Sequence, residues 1–177
     1  WSDFQQRNND QLVATWGNLV NRVLNFAYKN FDAKVPDPKK LRNEDQTLLN
    51  TIDQGFDEIG RLIELVKMRQ ALQEAFRLAS DVNKYLEDQA PWFTIKSDLD
   101  AASKSIYTAL RAIDSLKIVF SPFLPFSSEQ LHVYLGYKGS LFGDQSIRNV
   151  QDKRWSRSLL EYSHKGATGL WKPSELP

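Results

Sequence analysis

Apolar residues recur every three to four positions along most of the first 135 residues, which is the spacing of amphipathic helices. This spacing predicts helices over residues 10–31, 43–67, 68–90, 98–120 and 127–135. The fold class is therefore all-α, a bundle of about five helices whose short connections favour antiparallel neighbours. Trp16 lies on the apolar stripe of the first helix, between Asp10 and Phe31, and is expected in the core.

Changes of phase and capping residues indicate where these helices begin and end. The apolar stripe moves to nearly the opposite side at Lys67–Met68, by roughly 160° at about 100° per residue. This shift predicts two helices rather than one of more than forty residues. Ser97 with Asp100 is a capping-box pattern for the helix over 98–120. Ser127 with Gln130 is a similar pattern for the short helix that follows.

The chain changes character after Gly136, where glycines become frequent and one helix, around Arg154–Ser163, is predicted. We therefore expect two units. Residues 1–139 form the bundle, and residues 140–177 form an irregular C-terminal tail that packs on the bundle or on a domain outside this chain. The chain begins at Trp1 rather than Met, so we expect it to be a piece of a longer protein.

The stretch from Asn83 to Trp92 places a bulky indole directly after a proline. Pro91 has no backbone N–H and disfavours a helical conformation at the residue before it, so the helix is predicted to end near Ala90. A tryptophan at a helix end can be held outside the core, as a platform for a base, a sugar or a partner's side chain. The local pattern leaves three possibilities open for Trp92: core, partner contact and platform.

A line of polar residues follows one side of the first helix, opposite its apolar stripe. Asn18, Arg22, Asn25 and Lys29 are spaced so that their side chains form one continuous row. Such a row is typical of the solvent side of an amphipathic helix. Asn and Arg side chains are also suited to reading the edges of unpaired bases, so a single-stranded RNA loop is the second interpretation.

Composition excludes several kinds of site. The net charge is +1, so a nucleic-acid role must rest on a local site rather than on a general basic excess. The chain has no cysteine and two histidines, which excludes disulfides, thiolate metal sites and paired-histidine mechanisms. His132 is expected to be a surface or packing residue. No phosphate-binding loop, metalloprotease motif or nucleophile with an adjacent base is present, and adjacent acids such as Asp57–Glu58 are typical of a solvated face.

Four segments, taken together and in order, resemble one family closely: the C-terminal helical domain of methionyl-tRNA synthetase, a class I aminoacyl-tRNA synthetase. The resemblance runs from about residue 1 to 139 and continues more weakly through GLWKPSELP at the end. The four segments are GNLVNRVLNF (17–26), KMRQALQEAF (67–76), NKYLEDQAPW (83–92) and FSPFLPFSSEQLHVYLGYKG (120–139).

The resemblance implies a domain that binds the anticodon loop of methionine tRNA. Asn18 and Arg22 match the family's Asn-x-x-x-Arg, which contacts anticodon bases, and Trp92 matches the tryptophan on which the first anticodon base stacks. It also predicts that Arg22 and Trp92 lie on one exposed face. The implied site is Asn18, Arg22, Pro91 and Trp92, with Asn25, Asn83 and Tyr85 in supporting positions.

The family's two ATP-site motifs, of the HIGH and KMSKS types, are absent from this sequence. We therefore expect no catalytic, cofactor-binding or metal-binding residues here, and no activity of this chain alone. ATP, and zinc where the enzyme carries it, would bind the catalytic domain, which is the second expected partner besides the tRNA. No segment approaches about 18 consecutive apolar residues, so no membrane role and a cytoplasmic location are expected.

Two alternatives remain at this point. The first is the equivalent domain of a sister class I synthetase, such as those for cysteine, leucine or valine. The second is a non-catalytic helical scaffold for protein interactions, which predicts that Trp92 is buried or covered by protein rather than open beside Arg22.

Overall fold

The computed structural model describes residues 14–142, together with the backbone of three strands between residues 145 and 169. A π-helical turn at residues 14–17 leads into the first helix, whose predicted beginning near Asp10 lies outside the described residues. Within the described part, the predicted all-α bundle is confirmed, with one additional short helix. The helices are α1 (Asn18–Asn30), α2 (Asn43–Glu64), α3 (Met68–Gln89), α4 (Pro91–Thr94), α5 (Leu99–Phe120) and α6 (Pro125–Tyr134).

Helix α5 is the central element of the bundle. Residues on nearly all of its sides are buried, and it packs against each of the other helices. The core includes Trp16, which is 4% exposed and stacks on Phe120 with 4.5 Å between ring centroids. The sequence-based assignment of Trp16 to the core is therefore confirmed. No described helix is long and apolar enough to cross a membrane.

The predicted break between α2 and α3 is confirmed. The Lys67 N–H donates to the carbonyl of Leu62 (2.8 Å), and the Val66 N–H donates to that of Ile63 (2.8 Å), which is the pattern of a Schellman motif. Val66 takes the left-handed position of this motif, with φ 59°. Glycine is the usual residue at that position and a β-branched residue rarely adopts it, so the sequence did not signal this turn by its residue type.

Two predicted caps were wrong by a few residues. Asp98, rather than Ser97, caps α5, since its side chain accepts the Ala101 N–H at 2.9 Å. Helix α6 begins at Pro125 rather than after a Ser127 cap. Proline is favoured at the first helical position, because its N–H would have no partner there and its fixed φ suits the helix.

The described part of the tail contains three strands, one of which covers residues 157–163, so the helix predicted around Arg154–Ser163 was wrong. Strand β1 (Gln145–Asp152) pairs antiparallel with β2 (Arg157–His164), and β2 pairs with β3 (Ala167–Gly169). In the register, Gln145 pairs with His164 and Asp152 with Arg157. Hydrogen bonding between separate segments decided this structure, and a local apolar period does not report such pairing. The boundary at residue 139 stays a prediction.

A buried polar cluster holds the segment that follows α6. Asp114 and Lys117, both on α5, form an ion pair, and the Tyr137 hydroxyl donates to Asp114 at 2.9 Å. The Lys117 ammonium lies 4.0 Å from the Tyr137 ring centroid, and burial lowers the pKa of Lys117. The His132 ring stacks on the Tyr137 ring with 4.5 Å between ring centroids, so His132 is a packing residue.

Two glycines of α2 allow a matched test of the α2–α3 contact. A Cβ at Gly55 would lie 2.5 Å from a methyl carbon of Leu78, which is fully buried, whereas a Cβ at Gly60 would meet nothing within 4 Å. We expect Gly55→Ala to lower the free energy of unfolding by about 1–3 kcal/mol through overpacking. Gly60→Ala should raise it by about 0.5–1 kcal/mol through helix propensity. Urea unfolding of both variants tests this, and shifts of the same sign would contradict it.

Candidate nucleic-acid interface

The polar row of α1 is exposed along its whole length. Asn18, Arg22, Asn25 and Lys29 are all exposed, while the opposite side of the helix buries Leu19, Val23 and Ala27 in the core. The amphipathic pattern that predicted this helix thus also determines which way the polar side chains point.

Trp92 is held by a sharp corner between α3 and α4. Helix α3 ends at Gln89, and Ala90 adopts a left-handed conformation with φ 41°. Pro91 is buried at the first position of α4, and its carbonyl accepts the Ile95 N–H at 3.0 Å. The predicted helix end is confirmed, but a new helix begins at once, so Trp92 sits within a hydrogen-bonded turn rather than in a loop.

Arg22 and Trp92 lie together, as predicted. The guanidinium carbon of Arg22 is 4.7 Å from the centroid of the Trp92 ring, within the range of a cation–π contact. Trp92 is half-buried and borders an open cleft of about 240 Å³ between α1 and the α3–α4 corner. The indole is therefore partly packed against the core and partly open to the cleft, which suits a stacking surface.

The cleft combines an apolar floor with a polar rim. Of the predicted site residues, Asn25 belongs to the described lining, but Asn18 and Pro91 do not. Asn18 lies one helical turn before Arg22, on the same polar row. The floor consists of Val23, Phe26, Leu86 and Ile106. The rim consists of Arg22, Asn25, Lys29, Asn30 and Trp92.

Asn30 and the floor residues Val23, Phe26, Leu86 and Ile106 were missed as site residues, and Lys29 was noted only as part of the polar row. The helical period carried only a weak signal for Asn30, which is eight residues after Arg22 and therefore roughly 80° away from it around the helix at about 100° per residue. No local pattern marks Ile106, because it comes from α5 and reaches the cleft only through packing.

Asn83 supports the helix that carries the polar row. Its side-chain amide donates to the backbone carbonyl of Thr15 at 3.0 Å and to that of Ala79 at 3.2 Å. The first bond joins α3 to the turn that precedes α1. Asn83 is thus placed to fix the position of α1 relative to the α3–α4 corner.

Tyr85 belongs to a buried polar network that links helices of the bundle. Its hydroxyl donates to the carboxylate of Asp45 at 2.5 Å, and Arg42 donates to Asp45 at 2.8 Å and to Ser105 at 2.9 Å. Desolvation, with the nearby Asp45 carboxylate, raises the pKa of Tyr85, so the hydroxyl stays protonated at neutral pH. The network joins α2, α3 and α5 seven residues before Trp92.

Comparison with known proteins identifies the family of this chain. Residues 35–153 match the family model of the anticodon binding domain of methionyl tRNA ligase. Methionine–tRNA ligase of Chloroflexus aurantiacus is 49% identical over 179 residues, covering 100% of this chain and 30% of that protein. The enzyme of Thermomicrobium roseum is 46% identical over 178 residues, again covering 30% of its length.

Solved structures show the same fold. Mycobacterium tuberculosis methionyl-tRNA synthetase bound by methionyl-adenylate superposes with a TM-score of 0.74 at 27% identity, covering 76% of this chain and 28% of that one. The free-state structure of the same enzyme gives a TM-score of 0.71 at 28% identity. This chain spans about 30% of the length of its curated relatives. It belongs to the family of anticodon-binding domains of methionyl-tRNA ligase.

Proposed function

We propose that this chain binds the anticodon loop of methionine tRNA, as a non-catalytic part of a cytoplasmic methionine–tRNA ligase. The observation that carries the proposal is the Arg22–Trp92 pair at an open cleft. The scaffold alternative predicted that Trp92 is covered by protein, whereas Trp92 is half-buried and borders the open cleft. The match to the methionyl tRNA ligase family model disfavours a sister synthetase.

The first anticodon base is assigned to the Trp92 ring. Base–aromatic stacking contributes roughly 1–3 kcal/mol per base. The 4.7 Å contact leaves no room for a base between Arg22 and the ring, so the base either uses the other face or displaces the guanidinium. The apolar floor of the cleft favours the flat face of a base, and the polar rim favours its edges.

The base edges are assigned to Asn18 and Arg22, with Asn25 beside them. An Asn amide offers both a donor and an acceptor, and a guanidinium offers a planar fork of donors. Bidentate contacts of this kind discriminate between bases by on the order of 1–3 kcal/mol. Discrimination therefore depends on the orientation of α1, which the bond from Asn83 to Thr15 maintains.

Catalysis and its cofactors are assigned to the parts of the enzyme outside this chain. The residues at the cleft are amides, a guanidinium, an ammonium and an indole, which do not form a metal-ligand set. The described residues include no group of three His, Cys, Asp or Glu side chains that could hold a metal. ATP, and zinc where the enzyme carries it, belong in this proposal to the catalytic domain, which is also the second partner.

The proposal is tested by titrating the protein with a CAU anticodon stem-loop and with one altered at the first anticodon base. We expect at least about 10-fold weaker binding of the altered loop, since it loses a matched edge contact. Trp92→Phe identifies the fluorescence change that belongs to Trp92, because the chain has five tryptophans. Equal affinity for the two loops would contradict the proposal.

Arg22→Lys separates edge recognition from charge. Lysine keeps the positive charge but lacks the planar fork, so we expect the variant to lose most of the discrimination between the two loops. Affinity for the altered loop should change by less than about twofold, because the charge contribution is retained. The same titrations measure both quantities. Undiminished discrimination would remove Arg22 from the proposed base contacts.

A further inference from the structure

A lysine-rich segment adjoins the cleft. Residues 29–41 contain four lysines and two aspartates, a net charge of +2 against +1 for the whole chain, so the remainder is slightly acidic. We call residues 31–42, which join α1 to α2, the lysine loop. It begins directly after Asn30, which lines the cleft, and Lys29 lines the cleft as well.

The lysine loop has a defined conformation that places apolar residues inward and lysines outward. Val35 and Leu41 are 5% and 6% exposed, and Pro36 and Pro38 are buried. Lys34, Lys39 and Lys40 between them are exposed. The two prolines restrict the backbone, so less conformational entropy is lost when these lysines bind a ligand.

One ion pair joins the lysine loop to the beginning of α5, the helix that follows α4. The ammonium of Lys39 lies 3.3 Å from the carboxylate of Asp100 in the first turn of α5, and Lys104 pairs with the same carboxylate. Hydrogen bonds from Lys104 and then Lys39 hold the pKa of Asp100 below its usual range, so it is charged at neutral pH. Two cations share this one carboxylate, so it does not neutralise both of them.

We infer that the lysine loop, with Lys29, binds the phosphate backbone of the RNA strand whose base stacks on Trp92. The inference rests on the proposed function and adds a second site to it. The cleft itself contains one indole and few charges, so it recognises a base without neutralising the strand. Exposed lysines on a rigid rim supply the charge that phosphates require, because each neutralised phosphate releases counterions and strengthens binding at low salt.

The test compares the salt dependence of stem-loop binding in the unaltered protein and in a Lys39→Gln/Lys40→Gln variant. Affinities for the CAU and altered stem-loops are measured between 50 and 200 mM salt. The slope of log K against log salt is negative, and each lost phosphate contact reduces its magnitude by about 0.7–0.9, so we expect a slope that is less steep by about 1.4–1.8. Both loops should weaken by the same factor. Lys40→Gln alone, which keeps the Lys39–Asp100 pair, should give about half the effect.

A matched control is Lys67→Gln/Arg69→Gln, which removes two exposed cations near the other end of α3. An unchanged slope in the lysine-loop variant, or an equal change in the control, would overturn the inference. Two outcomes separate this inference from the proposed function. If the unaltered protein binds both loops equally but its salt slope differs from that of the lysine-loop variant, the proposed function fails and the phosphate site stands. If the unaltered protein distinguishes the loops but its salt slope equals that of the lysine-loop variant, only the phosphate site fails. Absence of binding would overturn both.

Discussion

Trp92→Ala is expected to weaken binding of the CAU anticodon stem-loop by about 10-fold or more, which corresponds to one lost base–aromatic stack. The reason lies in the position of the ring, half-buried at the rim of the cleft and in contact with Arg22. Alanine leaves the base without a surface and Arg22 without its aromatic partner. Fluorescence anisotropy of a labelled stem-loop measures the change.

Two further variants make the Trp92 result interpretable. Trp92→Phe keeps an aromatic surface, so it should lose less than half of the binding free energy that Trp92→Ala loses. Phe93→Ala removes the neighbouring ring, which is 76% exposed on the same helical turn but is not part of the described cleft lining. We expect Phe93→Ala to change the affinity by less than about twofold. Unchanged affinity of Trp92→Ala, with the fold intact by circular dichroism, would favour the scaffold interpretation.

Asp45→Ala is expected to lower the free energy of unfolding by about 3 kcal/mol. Asp45 is fully buried and accepts hydrogen bonds from Arg42 and Tyr85, so its loss leaves a partly buried cation and a buried hydroxyl without their acceptor. Breaking a buried pair costs about 3–5 kcal/mol. The lower end applies because Arg42 is still 28% exposed and retains contact with solvent.

The same helices provide controls for Asp45. Tyr85→Phe removes only one hydroxyl and should cost about 1 kcal/mol. Asp57→Ala, at an exposed position of α2, should remain within about 0.5 kcal/mol of the unaltered protein. Urea unfolding gives all three values. A cost below 0.5 kcal/mol for Asp45→Ala would show that the network does not stabilise this end of the bundle.

Much of the bundle could be predicted, because its helices are amphipathic and the apolar period is a local property. The change of stripe at Lys67–Met68 located the α2–α3 break although no glycine marks it. Predicted helix boundaries were displaced where two neighbouring residues can fill the same role. Asp and Ser are both favoured at the N-cap, and in the structure the side chain of Asp98, not of Ser97, accepts the hydrogen bond at the start of α5.

The amino-acid sequence by itself determined the fold class of the bundle, the exposed row of α1 and the helix end before Trp92. Each follows from the identity and spacing of neighbouring residues. Only the tertiary structure brought Arg22 to within 4.7 Å of Trp92, seventy positions later, and placed Ile106 beneath the cleft. It also buried Asp45 between Arg42 and Tyr85 and paired the strands of the tail. These features depend on contacts between distant segments, which form through packing and carry no local period.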